Sequence, residues 1–358
     1  MMVASISCKQ SVSTGIFVIG VCKVLFGTLA LVAADPFIIL SYSIQIVEGI
    51  GFSILLASTY VTIYSQISDK AHRNREGIIQ LFFLLGLSPS PIWGEAVYQA
   101  FDFSIPFYGI GVLSILNGIF VATMLPEPDQ KISKQDMSII SWTKKRTMFV
   151  YFGVVFTTFI YSGFLVVVLD PYLKQLHLNK LFVGCLFAVP YFICGLSAPA
   201  WKWLSKKGVN SVLLICIASI LIFASLILIG PAPFTKLELT LSYVSTSLLL
   251  NGLGTGGKLA CVSYSATRDL RSRQIVNGSP SPLMIPTMFA FGSLLGYFSG
   301  SVIAGFTYFY LGMGKAVYVL FGFELISATV ALIFAFRRNY VPPRNIEEAE
   351  EQQPILET

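Results

Sequence analysis

Charge is what this sequence has least of. Only 12% of its 358 residues are Asp, Glu, Lys or Arg, about half the share in a soluble globular domain, while 55% are hydrophobic. That balance argues against a soluble domain and for an all-α polytopic membrane protein. Histidine is scarcer still: His72 and His177 are far apart and lie between apolar segments, so no metal cluster follows, and neither metal nor other cofactor is expected. The six cysteines (Cys8, Cys22, Cys185, Cys194, Cys216, Cys261) fall in apolar runs or near the N-terminus with no CxxC among them, a pattern that supports neither a disulfide framework nor a zinc site. No nucleophile–base arrangement emerges, so no enzyme is expected. The glycines Gly252, Gly254, Gly256 and Gly257 lack the lysine–serine ending of a phosphate loop and point instead to close helix packing. The formal net charge of +6 comes from lysines and arginines between apolar segments, where it bears on membrane orientation and not on a nucleic-acid partner.

What the chain does have is long apolar runs. At about 20 residues per crossing, ten are expected: 11–33, 37–66, 76–100, 104–125, 147–170, 181–205, 211–230, 238–264, 283–310 and 314–337. An even number puts both termini on one side. Lys and Arg collect in alternate connections: Lys70, Arg73 and Arg75; Lys131, Lys134, Lys144, Lys145 and Arg146; Lys202, Lys206 and Lys207; Arg268, Arg271 and Arg273; Arg337, Arg338 and Arg344. By the positive-inside rule these connections, and with them both termini, are cytoplasmic. The first run has some marks of a signal peptide, but Lys23 interrupts it and it is long for that role. The sequon Asn277-Gly278-Ser279 then lies in the cytosol and stays unglycosylated.

The polar stretch 126–146 reads as a cytoplasmic linker between an N-terminal bundle of four helices (1–125) and a C-terminal bundle of six (147–337), with a cytoplasmic tail at 338–358. The two parts share a pattern. Leu40-Ser41-Tyr42, Gly49-Ile50-Gly51 and Tyr64-Ser65 before Asp69 recur as Leu241-Ser242-Tyr243, Gly252-Leu253-Gly254 and Tyr264-Ser265 before Asp269. The same order at similar offsets favours parallel internal repeats. The fifth and sixth helices then have no counterparts in the N-terminal part, which leaves it two helices short of a six-plus-six plan.

Five ionisable residues fall inside apolar runs: Lys23, Glu48, Glu95, Lys258 and Glu324. A charge at mid-membrane costs roughly 2.5–3.5 kcal/mol on insertion scales, so such residues face a bundle interior or a wet cavity. One reading is mutual pairing, for example Lys23 with Glu48. The other is function: Glu48 lies on one side of its helix with Ser41, Gln45, Thr59 and Thr62, as a proton acceptor or cation ligand for which an amine competes. Glu95 suits a cavity mouth, and Glu324, in the last helix, a peripheral position.

Three stretches carry a resemblance. Gln45-Ile-Val-Glu48-Gly49-Ile-Gly51 is similar to an RxxxGxG motif with Gln45 in the arginine's place; Gly86-Leu-Ser-Pro-Ser90-Pro91-Ile-Trp-Gly94-Glu95 is similar to GxxxGPxxGG, keeping Gly86, Pro91 and Gly94; and the tail Glu350-Glu351-Gln-Gln-Pro-Ile355-Leu356 resembles an acidic Ile-Leu sorting signal. Together they resemble the major facilitator superfamily, in its drug:proton antiporter branch and the vesicular amine and polyamine transporters of solute carrier family 18. The resemblance places the ten helices as the third to twelfth of that family. It implies a proton-coupled antiporter of organic cations such as polyamines or monoamines, working by alternating access. It also implies coupling through the Gln45–Glu48 region, helix packing at Gly86, Pro91 and Gly94 with a proline bend, a sorting adaptor at the tail, and a vesicular or endomembrane location, with the plasma membrane as the other. Lys202 to Gly208, at the family's second gating loop, lacks the aspartate expected there. With Gln45, that motivates the alternative: a truncated, non-transporting relative acting as a membrane scaffold or regulator, or an incomplete gene model.

Overall fold

The computed structural model describes residues 8–66, 86, 89–125, 146–230, 239–277 and 284–337, and the regular structure within them is helical. In chain order the helices are α1 (Cys8–Thr28), α2 (Ala34–Gln66), α3 (Ser90–Ala100), α4 (Ser104–Met124), α5 (Arg146–Leu173), α6 (Lys180–Lys206), α7 (Ser211–Ile229) and α8 (Leu241–Asn277). The last helical stretch, Met284–Arg337, breaks at Gly312, whose φ of 74° lies in the region that glycine alone enters freely. Its halves are α9 (284–311) and α10 (313–337). Asn179 and Asn210 cap α6 and α7, accepting hydrogen bonds from the N–H groups of Leu181 and Val212 at 3.1 and 3.0 Å.

Seven stretches among the described residues are long and apolar enough to cross a membrane, the last of them covering both α9 and α10. The expected segment 238–264 is not among them. Its helix, α8, alternates glycine and hydroxyl residues with Asn251 and Lys258 and is held by its neighbours more than by its own hydropathy. Of the expected segment 76–100, only Gly86 and residues 89–100 are described.

Packing follows the glycines. α1 packs on α2 and α4, and α7 packs on α8 and α10. A Cβ on Gly15 would stand 2.9 Å from the Gly51 carbonyl oxygen, and one on Gly254 would stand 2.7 Å from that of Ala218. The second pair lies 203 residues after the first at both positions, so the repeat seen in the sequence is a repeat in packing. Ser13 and Ser104 tie α1 to α4 near its two ends, donating to the Gly118 and Gly27 carbonyls at 2.9 Å each. Phe26, Phe103 and Phe107 fill the space between.

Around α5, Gly292, Gly296 and Gly300 form a stripe one turn apart on α9, and Gly296 and Gly300 sit against the Phe156 and Ile160 carbonyls. Two apolar clusters, one around Met148, Val155 and Met288 and one around Phe164, Leu226 and Leu248, make the core of the α5–α10 part. Contacts between the parts run from α3 to α6 and from α2 to the Met284–Arg337 stretch.

Candidate functional site

The sequence-predicted charges assemble as two ion pairs. On α1 and α2, the ammonium of Lys23 stands 2.7 Å from Glu48 Oε1, with side chains 29% and 20% exposed. The antiparallel run of α1 against α2, brought close at Gly15 and Gly51, places the two residues opposite each other. Gln45, exposed, lies one turn before Glu48. Ser41, Ser53 and Thr62 donate to carbonyls of their own helix at Ile38, Gly49 and Ser58. The chemistry available here is competition: a partly exposed carboxylate held by an internal ammonium.

The second pair corrects the expectation that Glu324 is peripheral. Lys258 of α8 donates to Glu324 Oε1 of α10, and the side chains are 0% and 5% exposed. Charges this deep persist only when paired and hydrogen-bonded. Nearby, the Tyr161 hydroxyl meets Ser225 Oγ at 2.8 Å and Ser225 meets Ser247 Oγ at 3.0 Å, linking α5, α7 and α8. Lys258 and Glu324 thus join α8 to α10.

Glu95 joins neither pair. It accepts from Gln99 Nε2 of its own helix at 3.3 Å. For Gly86 and Gly94, expected to serve helix packing, nothing among the described residues lies within 4 Å of where a Cβ would be. The close approach is made by Pro91, whose carbonyl oxygen would be 3.0 Å from a Cβ on Gly184 of α6. Pro91 occupies the first turn of α3, where its missing N–H costs nothing. At the other end of this contact, Lys180 of α6 lies over the Tyr98 ring, 5.3 Å from its centroid. Glu350, Glu351, Ile355 and Leu356 lie outside the described residues, as do residues 126–145 of the expected linker.

One feature was missed in the sequence. A cavity of about 40 Å3 opens between α5, α6 and α8, with Phe159, Phe187 and Tyr191 as its aromatic lining and Ser162, Asn251 and Thr255 among its polar groups. Asn251 accepts a hydrogen bond from Thr255 Oγ1 at 3.1 Å. The hydroxyl of Tyr191 is hydrogen-bonded to that of Tyr297, tying α6 to α9. The signal for Asn251 was present: it precedes Gly252-Leu-Gly254 as Glu48 precedes Gly49-Ile-Gly51. The aromatic residues carry no such signal, since they sit in uniformly apolar runs.

Comparison with known proteins bears on the whole arrangement. The sequence model of the Major Facilitator Superfamily matches residues 2–279. The chain is 25% identical over 362 residues to a Rattus norvegicus protein described as MFS-type transporter SLC18B1, covering 98% of this chain and 78% of that protein. The Homo sapiens protein of the same description is 23% identical over 367 residues, with the same coverage. Among solved structures, that of the human organic anion transporter MFSD10 (TETRAN) is similar with a TM-score of 0.57 and 14% identity, covering 92% of this chain and 82% of that one. At that identity the likeness concerns the fold.

Proposed function

This chain belongs to the major facilitator superfamily, a family of membrane transporters, and from that premise we propose that it is a proton-coupled exchanger of organic cations, polyamines or monoamines, working by alternating access. The observation that carries the reading is the Lys23–Glu48 pair. A carboxylate that is partly open and already engaged by an ammonium at 2.7 Å is a place where a substrate ammonium or a proton takes over from Lys23. Only one cation neutralises the carboxylate at a time, so arrival of one releases the other, and that is exchange. Glu48 is the coupling residue, Lys23 its resident counter-ion and Gln45 the neighbour that sets the polarity of the approach. Glu95, at the α3–α6 contact, is a secondary site near the moving interface. Lys258 and Glu324 hold α8 to α10 while the bundles move. The bundles are residues 1–125 and 147–337, joined by 126–146, with Pro91 against Gly184 as a contact on which they rock.

Both termini are cytoplasmic in this proposal, and Glu350, Glu351, Ile355 and Leu356 are read by a sorting adaptor that directs the protein to an endomembrane or vesicle. The description of the rat and human relatives as MFS-type transporters supports transport; the substrate class rests on the site. The test is uptake of a labelled amine into proteoliposomes with an acid interior. Accumulation is expected for the wild type and its loss for Glu48→Gln. Accumulation that persists in Glu48→Gln removes Glu48 from the mechanism.

A second reading, a non-transporting membrane scaffold, is favoured by one observation: Gln45, exposed beside Glu48, is neutral where the resembled motif has arginine. Absence of uptake for every amine, with the protein folded, would favour it.

A further inference from the structure

Of the helices in this chain, α8 is the one a membrane accepts least readily. It is the least apolar among the described residues, and it is absent from the stretches long and apolar enough to cross. Lys258, near its middle, weighs most, since lysine stands at the unfavourable end of insertion scales; Asn251 and the glycines at 252, 254, 256 and 257 offset none of that. What hydropathy does not supply, protein contact does: residues 256–263 are all buried. Gly252 and Gly256 lie against the carbonyl oxygens of Pro190 and Cys194 of α6, and Gly254 against that of Ala218 of α7. α8 therefore rests in a groove made by two helices that precede it in the chain.

That groove leaves one requirement unmet. Lys258, with a side chain 0% exposed, pairs with Glu324 of α10, and the two residues lie 66 positions apart. A chain made from its N-terminus onward holds α8 before Glu324 exists. For that interval the ammonium lacks the carboxylate that offsets its removal from water. The converse does not hold. α10 belongs to the stretch Thr287–Ile333, which is apolar enough to cross with Glu324 in it. The pair is thus symmetric in the finished protein and asymmetric during assembly: α8 depends on α10, and α10 does not depend on α8.

We infer that α8 does not enter the membrane on its own, and that it takes its transmembrane place in the α6–α7 groove when Glu324 on the last helix arrives to pair with Lys258. The chain carries a reporter of this step. Asn277-Gly278-Ser279 begins at the last residue of α8, and in the proposed orientation it reaches the cytosol only when α8 has crossed. A chain whose α8 stays where α7 emerged keeps this sequon on the far side, where it is an acceptor for glycan.

The test translates the full chain in the presence of rough microsomes and reads glycosylation as a glycosidase-sensitive mobility shift, so no variant has to survive purification. Each variant is also made with Leu270→Asn, which forms a second acceptor with Ser272, farther from α9. The wild type is glycosylated in a minor fraction only. Glu324→Gln raises that fraction by roughly threefold or more, as an unpaired mid-membrane ammonium requires. Lys258→Met, alone or combined with Glu324→Gln, holds it at the wild-type level, because α8 then crosses without help. A role confined to the stability of the folded protein would move the two single variants alike. The inference is overturned if Glu324→Gln matches the wild type at both acceptors, or if Lys258→Met or the double variant is glycosylated as much as Glu324→Gln.

Discussion

The buried Lys258–Glu324 pair permits a quantitative prediction. Its side chains are 0% and 5% exposed, so removing one partner strands a charge that neither water nor a second partner relieves. Glu324→Gln or Lys258→Met alone should cost about 3–5 kcal/mol, whereas replacing both by apolar residues of similar size is close to neutral. For a unit of this size, where each kcal/mol corresponds to about 2–4 °C, either single change lowers the unfolding temperature by on the order of 10 °C. The double variant Lys258→Met/Glu324→Leu recovers most of the loss. Lys23→Met is the internal control. Its pair is 29% and 20% exposed, and the cost there is smaller, about 1 kcal/mol. The assay is thermal unfolding of purified, monodisperse protein, followed by loss of the size-exclusion peak after heating. Singles that melt within a degree or two of the wild type, or a double variant as unstable as the two singles summed, would refute the view that these charges hold α8 to α10.

Further outcomes come from the packing and the hydrogen bonds. Gly252→Val should destabilise the protein by about 1–3 kcal/mol, because its Cβ would meet the Pro190 carbonyl oxygen at 2.7 Å; Gly322→Ala, with nothing within 4 Å among the described residues, should be neutral or stabilising in the same melt. Tyr151→Phe removes the hydroxyl that donates to Asp269 Oδ2 at 2.9 Å and should cost about 1.5–3 kcal/mol, as for a hydrogen bond to a charged group. Gly184→Leu should push α6 off Pro91 and abolish uptake in proteoliposomes while leaving the size-exclusion profile unchanged; full uptake would show that this contact is not a hinge.

Much of the fold was legible because membrane crossing leaves a strong mark. Apolar runs set the helices, and the gap between the expected runs 283–310 and 314–337 holds Gly312, whose φ of 74° breaks α9 from α10. The Lys23–Glu48 pair was foreseeable, since consecutive antiparallel helices bring residues at those depths together. Lys258 and Glu324 are separated by 66 residues and a whole intervening helix, and nothing in either run says that α10 returns to α8. Glycines in an apolar run permit close helix packing without requiring it. In α8 the same residue type did predict correctly: Gly252 and Gly254 meet α6 and α7 on two sides. The aromatic cavity stayed hidden because a phenylalanine in an apolar run packs against neighbours or faces a ligand with the same local sequence.

The most direct measurement is amine uptake by purified protein in proteoliposomes with an acid interior, comparing wild type, Glu48→Gln and Glu48→Asp under one proton gradient. The account predicts accumulation above equilibrium for wild type, none for Glu48→Gln, and partial activity for Glu48→Asp, which keeps the carboxylate that Lys23 now holds. Equal gradient-driven accumulation in wild type and Glu48→Gln would contradict it.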